Sequence, residues 1–244
     1  AGTDMLMSIE TATLNGGAGD DTIGATGFTG DLTVNTGNGD NLVIAGSGND
    51  LVIGGLGSDT LNGGEGDDSL FGQGSNDVVN GEGGNDTIVW KGDGNDTFDA
   101  GEGMDLVDVR GTAGFDVIDV RQSGSTLQVT RDSSTLSFPN ADDNVANAVE
   151  QVTISGMGGN DRLNLSDVNS VGSLVLILDG GAGNDTINAN NALLGTVRAL
   201  FQGGEGDDTI TGSADGDTIV GGDGNDSVLG GTGADTIRGE AGDD

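Results

Sequence analysis

One aliphatic residue returns at every ninth position from Val43: Val43, Val52, Leu61, Leu70, Val79 and Ile88. The intervals are filled with Gly, Asp, Asn and Ser, so the chain from Thr36 to Val89 reads as six consecutive copies: TGNGDNLVI, AGSGNDLVI, GGLGSDTLN, GGEGDDSLF, GQGSNDVVN and GEGGNDTIV. Small residues, mostly Gly, hold places one, two and four. An acidic or amide residue holds place six, and an aliphatic place eight. The Gly-rich first six residues can enter positive-φ conformations and wrap into a turn. The last three, with their aliphatic centre, predict a very short strand. Turn, strand, turn, strand makes one flattened coil of 18 residues, and self-similarity at a fixed short period identifies a solenoid. Neighbours on a strand point to opposite faces, so place eight faces inward as two stacked ladders while places seven and nine face out.

The pattern continues past one extra residue, Trp90, in KGDGNDTFD and AGEGMDLVD, ending at Asp108. A second run, GGEGDDTIT, GSADGDTIV, GGDGNDSVL and GGTGADTIR, starts at Gly203 and passes into GEAGDD at Asp244. Isolated copies begin at Gly16, Gly156 and Gly180. Between the blocks, FDVID, STLQVT and TLSF alternate like strands of a small meander, with QSGS as a turn and the single Pro, Pro139, after the third. Two longer coils follow, NSVGSLVLILDGGAGNDTI and NALLGTVRALFQGGEGDDTI, each with an extra apolar strand. The expected organisation is a first repeat block with irregular opening coils over 1–108, an irregular β-strand insert over 109–155, and wider coils leading into a second block over 156–244. Ser8–Ile23 also matches Ala148–Leu163 at a constant offset of 140, which predicts a larger recurring unit and a chain cut from something longer.

Charge changes the picture. Asp and Glu number 41 against 7 Lys and Arg, a net charge of −34, and a compact body of that charge repels itself unless counter-ions are built in. Asp50, Asp68 and Asp86 lie 18 apart and stack on one edge of the coil; Asp59 and Asp77 stack on the other, with Asn41 before them and Asp96 after. Asp208, Asp226 and Asp244 form one ladder of the second block, Asp217 and Asp235 the other. The place-six set is completed by Asp21, Asp105, Asp161 and Asp185. Like charges stacked at strand spacing, about 4.8 Å, are unfavourable without a cation between them. Ca²⁺ takes six to eight oxygens from carboxylates and carbonyls in flexible geometry, which suits such turns. Runs of like charge are ordinarily solvated surface, but here the acids keep strict phase with buried aliphatics. Asn41 in place of Asp, and GSADGDTIV with Asp215 at place four, depart most from the pattern.

GGAGDDTIG, GGEGDDSLF and GGDGNDSVL resemble the repeat-in-toxin (RTX, haemolysin-type) calcium-binding nonapeptide, G-G-x-G-x-D-x-U-x with U a large aliphatic. The resemblance implies an all-β, right-handed parallel β-roll with several Ca²⁺ ions held between successive turns by place-six side chains and main-chain carbonyls. It also implies secretion through a one-step channel to the cell surface or the medium. An ion at Asp244, the last residue of the sequence, is half-built unless another turn follows.

Composition narrows the chemistry. Only 3% of residues are aromatic and 50 are Gly, so the two-residue-thick core is weak, and ion binding is expected to contribute the folding free energy. Cys and His are both absent, which removes disulfides, thiolate and imidazole metal sites and His-based catalysis. Paired carboxylates such as Asp67–Asp68, Asp142–Asp143 and Asp207–Asp208 suit glycosidase chemistry, but the repeat pairs recur in phase with the turns rather than in one cleft. A strongly acidic chain disfavours nucleic acid, and no apolar run reaches membrane-spanning length. No charged stretch followed by an apolar run opens the given sequence, so no signal peptide is expected within it. The expectation is a non-enzymatic, extracellular calcium-binding structural module: a rigid spacer, adhesin segment or filament unit. The alternative is the folding and secretion roll of a larger RTX enzyme or toxin. Outward place-nine residues Ile53, Phe71 and Val89, with Trp90 beside them, predict an apolar stripe for self-association or contact with neighbouring repeats.

Overall fold

The computed structural model describes residues 10–138, 149–168, 174–190, 192, 194–195 and 197–244. The opening residues, Pro139 and the Asp142–Asp143 pair lie outside the described residues. All described elements are strands, arranged in one sheet of eleven and one of twelve. Outside 117–138 the chain alternates between the sheets, one strand to each per coil. The result is a parallel β-solenoid, as the nine-residue period predicts.

Register follows repeat length. Val52 pairs with Leu70 and Val43 with Leu61, 18 residues apart. Trp90 lengthens one coil, so Phe98 pairs with Val79 and Val107 with Ile88, 19 apart. The wide coils pair Ile187 with Ile210 at 23. In each case the place-eight aliphatics stay aligned, because a slip of one residue would turn every inward side chain to solvent. Val52, Leu61, Leu70, Val79 and Ile88 are all fully buried.

The segment between the blocks is built into the second sheet. Val117–Ser123, Thr126–Arg131 and Ser134–Phe138 form an antiparallel meander whose last strand pairs in parallel with Asn95–Asp99 and whose first pairs in parallel with Arg162–Leu165. In the first sheet Asp105–Arg110 pairs directly with Val149–Ser155. The second sheet therefore carries two more strands here than the first, about 10 Å of extra width. Larger side chains fill the widened interior: Phe98 and Phe138 meet edge-on at 6.3 Å, with Ile118, Leu127 and Leu136 buried around them.

Trp90 corrects one expectation. It does not join the outward stripe but lies in the core at 2% exposure. Alternation explains this: Ile88 points in, Val89 out, and Trp90 in again. Val89 is itself only 5% exposed, whereas Ile53 and Phe71 are half-buried on the outer face and in register with it.

Candidate metal centre

The turns at both edges of the roll are tied by two hydrogen-bond ladders that run in opposite directions. At place six, one carboxylate oxygen accepts from the same place in the preceding coil. The Asp50 amide donates to Asp68 Oδ1 at 2.7 Å and the Asp68 amide to Asp86 Oδ1 at 2.8 Å. On the opposite edge the Asp59 amide donates to Asp77 Oδ1 and that of Asp77 to Asp96 Oδ1, at 2.9 and 2.7 Å. At place five, on the exposed rim, the acceptor serves the following coil: Asp67 donates its amide to Asn49 Oδ1, and Asp67 Oδ1 accepts from Asn85. Glycine makes the turn geometry accessible. Gly55 and Gly57, at places two and four, have φ of 101° and 128°, a region costly to residues with a Cβ.

The second oxygen of each place-six carboxylate is the informative one. Eleven buried Oδ2 atoms have no hydrogen-bond partner: those of Asp21, Asp50, Asp59, Asp68, Asp77, Asp86, Asp105, Asp161, Asp185, Asp208 and Asp226. Native proteins rarely leave buried polar atoms orphaned, and each such atom calls for an unseen ion or water. The orphans face a repeated cradle. A Cβ placed on Gly54 would sit 2.5 Å from Asp59 Oδ2 and 2.8 Å from the carbonyl oxygen of Gly72 in the next coil. A carboxylate oxygen and a main-chain carbonyl thus converge on the space that this glycine at place one leaves open. The same pairing recurs at Gly180, between Asp185 Oδ2 and Gly203 O, and at Gly221, between Asp226 Oδ2 and Gly239 O.

Electrostatics point the same way. Burial, partly offset by the main-chain hydrogen bond and reinforced by neighbouring acids, pushes the Asp68 and Asp77 carboxyls up to about 7. Asp86, Asp105, Asp161 and Asp208 rise to about 6, again chiefly through burial. Burial also raises Asp50, Asp59 and Asp185. These are anions held where the protein alone does not stabilise them. Among the described residues no three acidic side chains converge on one point, so any cation must take most of its ligands from carbonyls. Hard, oxygen-seeking Ca²⁺ fits that donor set.

The family model for the RTX calcium-binding nonapeptide repeat matches residues 13–25, 26–61, 53–88, 92–107, 177–192, 200–228 and 220–244, over half of the chain. The chain belongs to the RTX calcium-binding repeat family. It is a calcium-binding β-roll whose repeated motif accommodates multiple Ca²⁺ ions. No curated protein matches it.

Of the place-six residues predicted from sequence, the RTX roll buries Asn41, Asp50, Asp59, Asp68, Asp77, Asp86, Asp96, Asp105, Asp161, Asp185, Asp208, Asp217 and Asp226. Asp21 and Asp235 are half-buried and Asp244 is exposed, at the ends of the stack. The place-six ladder also runs outside the matched segments: the Asp116 amide donates to Asp161 Oδ1 at 2.7 Å, and the Asp161 amide to Asp185 Oδ1 at 2.6 Å. Asp116 was not predicted. Its signal is present in GTAGFDVID, a copy with Thr at place two that the alternation of FDVID disguises as an ordinary strand. Glu150 is a second unpredicted member, since its Oε2 accepts the Asp105 amide at 2.6 Å and extends the other ladder. In the wide coils only one edge keeps the RTX turn; the opposite edge is packed with Val168, Leu174, Ala189, Leu194 and Val197, all buried.

Proposed function

We propose that the chain works outside the cell as a calcium-stiffened, non-catalytic spacer, the kind of unit from which an adhesin or surface filament is built. The observation that carries this reading is the repetition of orphaned, buried carboxylate oxygens along both edges of the roll. A solenoid coil contacts only its neighbours, so ions set between turns stiffen it along its length. The acids are spread in register and do not gather in one cleft, and Asp67, half of the most enzyme-like pair, is engaged in the rim ladder. The 140-residue recurrence supports a modular parent. Each cradle supplies few carboxylates, which suits the calcium concentrations found outside cells. We read 1–108 and 156–244 as the ion-bearing blocks, joined through 109–155. Ile53 and Phe71 offer a lateral contact for a neighbouring copy, and sedimentation of Phe71→Asp in calcium tests that contact.

Small-angle scattering during a calcium titration tests the main reading. A rod lengthening by about 4.8 Å per coil, with a midpoint on the order of 0.1–1 mM, is expected. A globular calcium-bound particle, or a nanomolar midpoint typical of intracellular buffers, would overturn it.

A further inference from the structure

We propose that four place-six positions, Asn41, Asp96, Asp116 and Asp217, take no calcium because the chain's own donors already occupy the ion-facing atom. The inference rests on the calcium reading above and concerns which cradles are open.

At Asn41 the side-chain oxygen accepts the Asp21 amide at 2.8 Å, which turns the NH₂ group toward the cradle. That group donates to Gly39 O at 2.8 Å, Asp59 Oδ1 at 2.9 Å and Thr36 Oγ1 at 3.1 Å, while the Thr36 hydroxyl donates to Gly54 O. Oxygens that would ligate a cation are thus already serving as hydrogen-bond acceptors. At Asp217, Ser213 donates its amide to Oδ2 at 2.7 Å and its hydroxyl to Oδ1 at 2.9 Å. At Asp116, Thr112 donates both amide and hydroxyl to Oδ2, at 2.7 and 2.9 Å. At Asp96, the Trp90 indole N–H donates to Oδ2. None of these four residues is among those with an orphaned oxygen.

Asp96 and Asp116 are consecutive turns on one edge, and here the ladder loses a rung. Asp77 donates to Asp96 and Asp116 donates to Asp161, and the meander separates the two pairs. A buried cation from the meander fills the break. Arg131 is 8% exposed, donates to Arg110 O at 2.9 Å, and sets its Nε 3.7 Å from Asp116 Oδ1. That Nε makes no hydrogen bond, so its effect on Asp116 is coulombic. A fixed guanidinium supplies there what a diffusible ion supplies elsewhere.

The geometry yields a local rule. Glycine or alanine at place one and a residue without a hydroxyl at place two leave the cradle open, as at Asp50, Asp77 and Asp105; Thr36 at place one, or Thr112 or Ser213 at place two, closes it, and Trp90 does so from the preceding strand. Bound calcium counted by equilibrium dialysis and atomic emission tests the rule. Thr36→Gly/Asn41→Asp, which makes the copy GGNGDDLVI, and Ser213→Gly are each expected to bind one more ion than the unaltered chain. Asp68→Asn is expected to bind fewer. An unchanged count in either opened variant, with the Asp68→Asn loss intact, overturns closure at that position. No uptake by the unaltered chain, with Asp68→Asn equally silent, brings down the calcium reading itself. Should an opened variant not fold, anomalous scattering from crystals of the unaltered chain grown in calcium decides the matter. Peaks are expected beside Asp59, Asp68 and Asp77, and a peak at any of the four closed positions overturns the proposal.

Discussion

The regular coils around Asp50–Asp86 and the meander around Val117–Phe138 answer one problem in opposite ways. A thin two-sheet roll has to hold its edges shut. The regular coils do it with stacked anions that require a cation, over a core of single aliphatics such as Val52, Leu61 and Val79. The centre does it with covalently attached donors, Trp90, Thr112 and Arg131, over a core that includes Phe98 and Phe138. On this proposal, calcium dependence in this fold belongs to individual turns and not to the solenoid as a whole. Where the interior widens enough for aromatic side chains, packing replaces ions.

Chelation is expected to break the comparison most sharply. In excess chelator the regular coils lose their counter-ions and unfold, taking most of the β signal in circular dichroism with them. The slowest-exchanging amides that remain are expected in 117–138 and the strands paired with it. Hydrogen exchange followed by mass spectrometry measures this, and uniform exchange along the chain would contradict it.

Core truncation sharpens the same contrast at a single site. Phe98→Ala is expected to destabilise the calcium-bound protein by about 3–5 kcal/mol, because its ring packs against Phe138 where no ion can compensate. Urea denaturation in saturating calcium measures the loss.

Acidity acts through the buried carboxyls of both regions, Asp96 beside Trp90 being raised to about 6 by burial as well. Folded-state values near 7 for Asp68 and Asp77, and near 6 for Asp86 and Asp208, lie above the ordinary carboxyl value of 3.8. The folded, calcium-free chain therefore holds more protons than the unfolded one. Its stability from these groups is full below about pH 3.8 and is lost as pH rises through 6 to 7. The calcium-free chain is expected to gain β signal when acidified from pH 8 to 5. In calcium the sign reverses, since protons compete with the ion for the same oxygens. A calcium electrode should register release over the same interval.

The smallest expected effect lies within the regular coils. Gln73 and Ser75 hold φ of 78° and 79° at places two and four, where the preceding copy has Gly64 and Gly66. Gln73→Gly or Ser75→Gly is expected to raise stability by about 1 kcal/mol each, read as a higher urea midpoint in calcium.

The nine-residue phase was legible without coordinates because it lives in neighbouring residues. Place-eight aliphatics, place-six acids and the two edges on which those acids stack all follow from period and alternation. Trp90 was misplaced only because alternation was not carried one residue past Val89. Asp116 was missed because Thr112 and Phe115 blur its repeat. By contrast, no local pattern announces that Ser134–Phe138 pairs with Asn95–Asp99 while Val117–Ser123 reaches Arg162–Leu165.

By itself the sequence determined the solenoid, its coil length, the inward ladders and the demand for cations, since each is a short-range consequence of glycine turns, strand alternation and stacked charge. Only the tertiary structure decided which turns need the ion. That depends on whether a donor from elsewhere in the chain, such as Arg131 reaching Asp116 or Trp90 reaching Asp96, arrives at a given carboxylate. Such meetings are set by how the meander is threaded into the second sheet, a long-range pairing that no nine-residue window contains.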